Sequence, residues 1–123
     1  MNFEELSHRV IGCALEVHRA LGPGLLESTY EQCLPHEPDL NGLRFRTQQP
    51  LPVEYKGVRL DCGYRVDLFI EDTLIVELKS VEQILGIHEA QLLTYMKLAD
   101  INVGLLINFN VPKLKDGLKR FVL

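Results

Sequence analysis

The first third of the chain has the hydrophobic period of helices. Apolar side chains recur at steps of three and four over Phe3–Leu21, which predicts a first helix with one apolar stripe. The turn residues of Gly22–Gly24 end that helix, because glycine permits unusual backbone angles and proline removes a backbone donor. Helical spacing then resumes until Pro35 and Pro38 interrupt it, so a second helix is predicted to end or kink near Leu34.

The middle of the chain has the period of two that is typical of strands. Strands are predicted over residues 45–49, 53–55, 58–60, 64–70 and 74–79, followed by a helix over 87–99 and a strand over 103–108. Lys56-Gly57 is a hairpin turn between two of the short strands, and the residues after 108 form a basic tail. This order predicts one α/β or α+β domain over residues 1–123, with no repeat and no linker.

The register of one strand pair follows from its apolar residues, because these must share a face of the sheet. A three-residue loop over 71–73 makes the apolar residues oppose each other in pairs and places all six on one face: Val66, Leu68, Ile70, Leu74, Val76 and Leu78. The same register places Asp67 across from Glu77 on the other face, with Cα atoms about 4.5–5.5 Å apart. Lys79 follows on that face.

Two carboxylates held this close repel each other, so the pair calls for a compensating charge. A divalent cation such as Mg²⁺ or Mn²⁺ is one candidate, since hard ions prefer carboxylate and carbonyl oxygens. Lys79 beside such an ion could position a water and offset charge on a phosphate. An ion pair between Lys79 and Glu77 on a solvated sheet face explains the Glu-x-Lys triplet of residues 77–79 equally well.

Composition limits the class of protein and of partner. The chain has 123 residues, 46% of them hydrophobic, and lacks an apolar run long enough to span a membrane, so we expect a soluble, cytoplasmic protein with reduced, mostly buried cysteines. Its net charge of −4 argues against bulk electrostatic coating of nucleic acid. The tail holds the one local basic patch that could contact a phosphodiester backbone, formed by Lys113, Lys115, Lys119 and Arg120.

Three motifs resemble those of one group of proteins. Asp67 followed by Glu77-Leu78-Lys79 resembles the D…ExK signature of the PD-(D/E)XK nuclease superfamily, and Gln91–Tyr95 resembles the QxxxY element of its RecB-type branch. Residues 22–30 resemble the eponymous motif of the small bacterial and archaeal GxxExxY proteins, with Gly24, Glu27 and Tyr30 in the named positions. Weaker similarity continues through residues 51–53, 55–57, 88–93 and 104–109, so the resemblance covers nearly the whole chain.

The resemblance implies a nuclease-like core in which a central mixed β-sheet is flanked by helices. It implies that Glu27, Asp67 and Glu77 bind Mg²⁺ or Mn²⁺ and that Lys79 is the catalytic lysine. Gln91 and Tyr95 would then orient the lysine or the substrate phosphate. From the residues alone, Glu27 is better explained as a favourable charge in a first helical turn, and Tyr95 and Tyr30 as residues that pack in the core.

Two functions are consistent with these features. The first is a metal-dependent nuclease acting on DNA or, with less support, on RNA. The alternative is a non-catalytic module that keeps the nuclease-like fold and binds a nucleic acid, a nucleotide or a protein. Assembly into a homo-oligomer is left open, and no membrane partner is expected.

Overall fold

The computed structural model describes all 123 residues. Its helices are α1 (Phe3–Leu21), α2 (Glu27–Cys33), α3 (Pro38–Asn41) and α4 (Gly86–Ala99), with 3₁₀ turns at Leu34–His36 and Leu114–Gly117. Its strands are β1 (Phe45–Pro50), β2 (Val53–Tyr55), β3 (Val58–Leu60), β4 (Arg65–Ile70), β5 (Leu74–Lys79), β6 (Val103–Asn108) and β7 (Leu118–Val122).

Five strands form a central mixed sheet in the order β1-β4-β5-β6-β7, and β2 pairs with β3 in a separate ribbon. Only the β5–β6 pair is parallel. Parallel neighbours need a long crossover connection, and α4 provides it across one face of the sheet. The predicted fold class, a mixed sheet flanked by helices, is confirmed.

Each face of the sheet has its own hydrophobic core. The larger core lies between the sheet and α1, where Val10, Ala14 and Val17 form the predicted apolar stripe against Leu68 and Ile107. The smaller core lies under α4 and joins seven buried residues: Leu51, Val66, Ile75, Leu92, Tyr95, Met96 and Leu106. The sheet is thus covered on both faces, which explains why β5 and β6 are apolar almost throughout.

Several element boundaries agree with the sequence predictions. Helix α1 and strands β5 and β6 have the predicted limits, and α2 ends at Cys33 before a 3₁₀ turn that contains Pro35. Pro38 is the first residue of α3. Proline is tolerated there because the N–H groups of a first helical turn have no partner within the helix. The two prolines therefore shorten α2 without disturbing its start.

One apolar residue does not lie where the simple alternation predicts. Leu68, Ile70, Leu74, Val76 and Leu78 belong to the core under α1 as expected. Val66, the sixth residue of the predicted set, instead packs in the core under α4. Residues two apart in a regular strand share a face, so β4 must be turned between Val66 and Leu68. The prediction that all six share one face is therefore wrong at this position.

The basic tail was also expected to lie outside the regular elements, and it does not. Residues Leu118–Val122 form β7, which pairs antiparallel with β6 at one edge of the sheet. The charged residues of this segment interrupt the apolar alternation by which a strand is predicted. Charged side chains are nevertheless common on edge strands because they discourage further pairing.

Two smaller expectations concern the cysteines and the helices. Cys13 is buried and Cys33 half-buried, but Cys62 is exposed, which corrects the expectation that the thiols are mostly buried. None of the helices has the length and apolar character needed to traverse a bilayer.

The contact between Gly117 and β6 gives a test of the fold. A Cβ atom at Gly117 would lie 2.1 Å from the carbonyl oxygen of Asn108. The buried Asn108 side chain also holds Val81, by a donated bond of 2.9 Å and an accepted bond of 3.1 Å. We expect Gly117→Ala to lower the free energy of unfolding by about 1–3 kcal/mol, as overpacking usually does, measured by urea unfolding.

A matched control comes from Gly12, inside α1, where a Cβ atom would meet nothing within 4 Å. Gly12→Ala should raise the free energy of unfolding by about 0.5–1 kcal/mol, because alanine is the better helix former. Equal effects of the two substitutions would contradict the packing described for Gly117.

Candidate active site

Asp67 and Glu77 lie where the hydrogen-bonded ladder between β4 and β5 stops. The ladder pairs Ile70 with Leu74 and ends at Leu68 and Val76. At the next position, Glu77 Oε1 accepts a hydrogen bond from the backbone N–H of Asp67 at 3.1 Å. Asp67 Oδ2 accepts one from the N–H of Leu78 at 2.9 Å. Buried N–H groups need acceptors, so here the two carboxylates replace the carbonyl groups of a regular ladder.

This arrangement confirms the predicted register and refines the contact. Asp67 and Glu77 do oppose each other, and only 8% and 5% of their surfaces are exposed. Each carboxylate bonds to the main chain of the opposite strand, whereas a regular sheet would leave the two side chains standing side by side. Beyond Leu68 and Val76 the two strands are no longer paired as a regular ladder, so both acids lie at its end.

A chain of polar side chains links β5 to α4. Lys79 Nζ lies 3.5 Å from Gln91 Oε1, at the long limit of a hydrogen bond, and Gln91 Nε2 donates to the Tyr95 hydroxyl at 3.0 Å. Gln91 and Tyr95 are four residues apart and so share one face of the helix. The Tyr95 ring also meets the edge of Tyr64, with ring centroids 5.9 Å apart. The amide thus has its orientation set from both sides, with the oxygen toward the lysine.

The loop before α2 is held in place by Tyr30. The Tyr30 hydroxyl donates to the Gly22 carbonyl at 2.6 Å and accepts from the Leu25 N–H at 3.2 Å. Its buried ring stacks on Phe109 with centroids 4.3 Å apart. Gly24 has φ +95°, a left-handed conformation that suits glycine. The glycine and tyrosine of this motif are therefore structural, as the packing interpretation of Tyr30 expected.

Glu27 follows this loop and lines the same cleft as Asp67. It is half-buried at the first residue of α2. Ser80, directly after β5, donates to the carbonyl of Leu25 at 2.6 Å, which fixes the start of α2 beside the end of that strand. An open cleft of about 450 Å³ lies here, lined by Leu26, Glu27, Ser28, Glu31, Gln48 and Asp67.

The comparisons with known proteins agree with this geometry. A family model of the PD-(D/E)XK nuclease superfamily matches residues 4–121. The chain belongs to this superfamily. Searches of curated proteins and of solved structures returned no match. The finer assignment to the GxxExxY proteins remains a prediction.

The fold brings together the superfamily residues predicted from the sequence. Asp67, Glu77 and Lys79 lie where the paired ladder of β4 and β5 has ended, Gln91 on α4 meets Lys79, and Tyr95 bonds to Gln91. Glu27 lies across the cleft that Asp67 lines. The residues predicted from the resemblance thus lie at one place in the fold, between a helix on each face of the sheet.

The sequence interpretation missed a fourth acid, Glu31. It lies on α2 four residues after Glu27, so both face the same side of the helix and line the same cleft. The side-chain amide of Gln48 donates to Glu31 Oε1 and, at 3.1 Å, to Asp67 Oδ1. The signal that indicates Glu31 in the sequence is its spacing of four residues from Glu27, which places both on one face of a helix.

The four basic residues of the tail do not form one patch. Lys119 pairs with Leu106, which belongs to the core under α4, and its amine donates to Glu89 on that helix at 2.8 Å. Arg120 pairs with Leu105, which belongs to the opposite core. Strand alternation thus sends these two side chains to opposite faces, while Lys113 and Lys115 are exposed before β7.

Burial and mutual repulsion govern the charge state of the site. Burial, reinforced by the negative charge of Asp67, raises the pKa of Glu77 to about 9. Burial also raises the pKa of Glu27; Lys79 opposes this rise, and Asp67 and Glu31 add to it. The pKa of Glu31 is raised chiefly by burial, against the hydrogen bond from Gln48. Burial and the neighbouring negative charges therefore disfavour ionisation of all the carboxyl groups of the site at once.

The donor set fits a divalent cation in chemistry. Carboxylate oxygens are the ligands that Mg²⁺ and Mn²⁺ prefer, and a cation would relieve the repulsion that raises these pKa values. No three acidic, histidine or cysteine side chains converge tightly enough to hold a metal ion in the present arrangement. The backbone bonds to Asp67 and Glu77 nevertheless leave lone pairs free, because each carboxylate offers about four acceptor sites.

The raised pKa of Glu77 predicts how stability depends on pH in the presence of a chelator. The unfolded chain releases this proton near pH 4.5, whereas the folded protein keeps it until about pH 9. Between these values the folded state binds more protons, so the free energy of unfolding falls as pH rises, by up to about 1.4 kcal/mol per pH unit. In Glu77→Gln, the free energy of unfolding should fall less steeply with pH, as measured by urea unfolding at several pH values.

The exposed Glu82 provides the control for this series. Glu82→Gln should keep the pH dependence of the natural protein. If Glu77→Gln also keeps it unchanged, the protonation assigned to Glu77 is wrong.

Proposed function

We propose that the protein is a divalent-metal-dependent nuclease that hydrolyses phosphodiester bonds, with DNA favoured over RNA, and that residues 1–123 act as one nuclease-like domain. The observation that carries the proposal is the pair of buried acids, Asp67 on β4 and Glu77 on β5, which exchange main-chain hydrogen bonds beside Lys79 at the end of β5. Membership in a nuclease superfamily whose members generally use divalent metals and act on nucleic acid supports it.

The residues have separable roles in this mechanism. Glu27, Asp67 and Glu77 would hold Mg²⁺ or Mn²⁺, which when bound supplies polarisation of the phosphodiester and activation of water. Lys79 places a positive charge where negative charge develops on the phosphate. Gln91 and Tyr95 fix the direction of the lysine, since their hydrogen bonds run in series from α4.

Two substitutions test the catalytic assignment. Asp67→Asn keeps an acceptor for the Leu78 N–H but removes a negative ligand, so it should weaken Mn²⁺ binding and reduce cleavage. Lys79→Met keeps most of the stem and removes the cation, so cleavage should fall about 10²–10⁴-fold while Mn²⁺ binding persists. Cleavage is measured on labelled single-stranded, duplex and branched DNA and RNA, with Mn²⁺ and with chelator.

Controls for this test lie at the far end of α4. Asp100 follows the helix with φ +57°, a conformation that asparagine accepts, and Lys97 is exposed in its last turn. Asp100→Asn and Lys97→Met should cut at the rate of the natural protein. Undiminished cutting by Asp67→Asn would instead reveal a contaminating nuclease and remove the catalytic assignment.

The binding-module function is retained as a second candidate because both buried acids already bond to the main chain. A protein that uses Asp67 and Glu77 only as structural acceptors should show no cleavage in the panel above. It should also show a Lys79→Met defect in affinity and in the salt dependence of binding.

Among the tail residues proposed to bind nucleic acid, Lys119 has the strongest position. Glu77 pairs with Leu106, and Leu106 pairs with Lys119, so the three lie in one row across the sheet. Lys119→Gln should weaken DNA binding and lower the slope of log affinity against log salt by about 1. Arg120→Gln, on the opposite face, should change the affinity and the salt slope less than Lys119→Gln does. Fluorescence anisotropy at several salt concentrations measures DNA binding by each variant. Equal losses would assign the contact to the edge of the strand as a whole.

A further inference from the structure

Gln48 has a backbone conformation that its position in β1 does not explain. Its φ is +49°, in the left-handed region that residues with a Cβ atom seldom adopt. The register between β1 and β4 pairs Thr47 with Leu68 and Gln49 with Val66, and leaves out Gln48 and Asp67 between them. Within β1 the left-handed backbone conformation is therefore limited to Gln48, which lies opposite Asp67.

The conformation directs the Gln48 side chain at two acids on different elements. Its Nε2 donates to Asp67 Oδ1 at 3.1 Å and also to Glu31 Oε1. A primary amide nitrogen carries two hydrogens, so it can serve both carboxylates at once. The bridge holds together two groups that repel each other, and it does so without adding a formal charge that would compete with a cation.

The residue type supports a role for the side chain. Glycine or asparagine would occupy a left-handed position at lower cost than glutamine. Glycine has no side chain, and asparagine is one methylene shorter, whereas the bridge must span from β1 to both β4 and α2. The conformational cost of glutamine at this position is consistent with a function that requires the length of its side chain.

We propose that Gln48 is a positioning residue that holds the carboxylates of Asp67 and Glu31 at fixed orientation in the cleft, so that Asp67 is presented to a divalent cation. This inference rests on the proposed metal-dependent function. The turned segment of β4 supports it independently, since Val66 and Leu68 pack in different cores on either side of Asp67.

The test compares Gln48→Gly, Gln48→Ala and the neighbouring control Gln49→Ala by Mn²⁺ calorimetry and thermal unfolding. Gln48→Gly relieves the left-handed strain and Gln48→Ala does not, yet both remove the amide. Loss of a group that orients a metal ligand typically costs 10–100-fold in affinity. We therefore expect both Gln48 variants to bind Mn²⁺ about 10–100-fold more weakly, with Gln48→Gly melting higher than Gln48→Ala and Gln49→Ala binding normally.

Each other outcome overturns the inference in a recognisable way. Normal Mn²⁺ affinity in Gln48→Gly, with a loss only in the less stable Gln48→Ala, shows that Gln48 has a structural role alone. In that case Asp67→Asn still binds Mn²⁺ weakly and the proposed function stands. If the natural protein and Asp67→Asn bind Mn²⁺ equally, or neither binds, the proposed function fails, and the role of Gln48 toward a cation fails with it.

Discussion

The exchange of hydrogen bonds between Asp67 and Glu77 is the constraint on which the rest of the site depends. The ladder between β4 and β5 ends one residue before it, and the N–H groups of Asp67 and Leu78 would otherwise be buried without acceptors. Leaving such a donor unsatisfied costs about 1–3 kcal/mol, so each carboxylate is tied to the opposite strand. The same two bonds join the strands and keep both acids just beyond the last ladder pair.

The surrounding elements supply what this pair lacks. Because β5 and β6 are parallel, the chain must cross the sheet between them, and the crossing helix α4 brings Gln91 against Lys79. On the other face, the Tyr30 hydroxyl closes the loop before α2 and sets Glu27 at the cleft. The hydrogen bonds on the two sides involve different residues, so Gln91 and Glu27 are positioned by separate sets of contacts.

Local patterns predicted most of the fold and the opposed acids, and features set by distant contacts escaped them. The register of Asp67 and Glu77 was predictable because a short loop and two apolar alternations determine it. The turn in β4 was not, since nothing near Val66 in the sequence shows which core it joins. The conformation of Gln48 likewise depends on carboxylates brought close only by folding. Strand β7 was hidden because an edge strand is paired on one side only and tolerates charge along its length.

The charge of the site connects cation binding to nucleic-acid binding. The carboxyl groups of Glu27, Glu31 and Asp67 line the cleft, and that of Glu77 bonds to Asp67, with Lys79 as the opposing charge, in a chain whose net charge is −4. Buried acids of this kind are rarely a gain in stability over apolar residues. Without a cation, such a site repels a phosphodiester; with one, it attracts it. In the proposed function the cation and the substrate must therefore favour each other's binding, and by linkage the coupling is the same in both directions. In that function, the acid cluster would make the affinity of an acidic protein for a polyanion conditional on the metal.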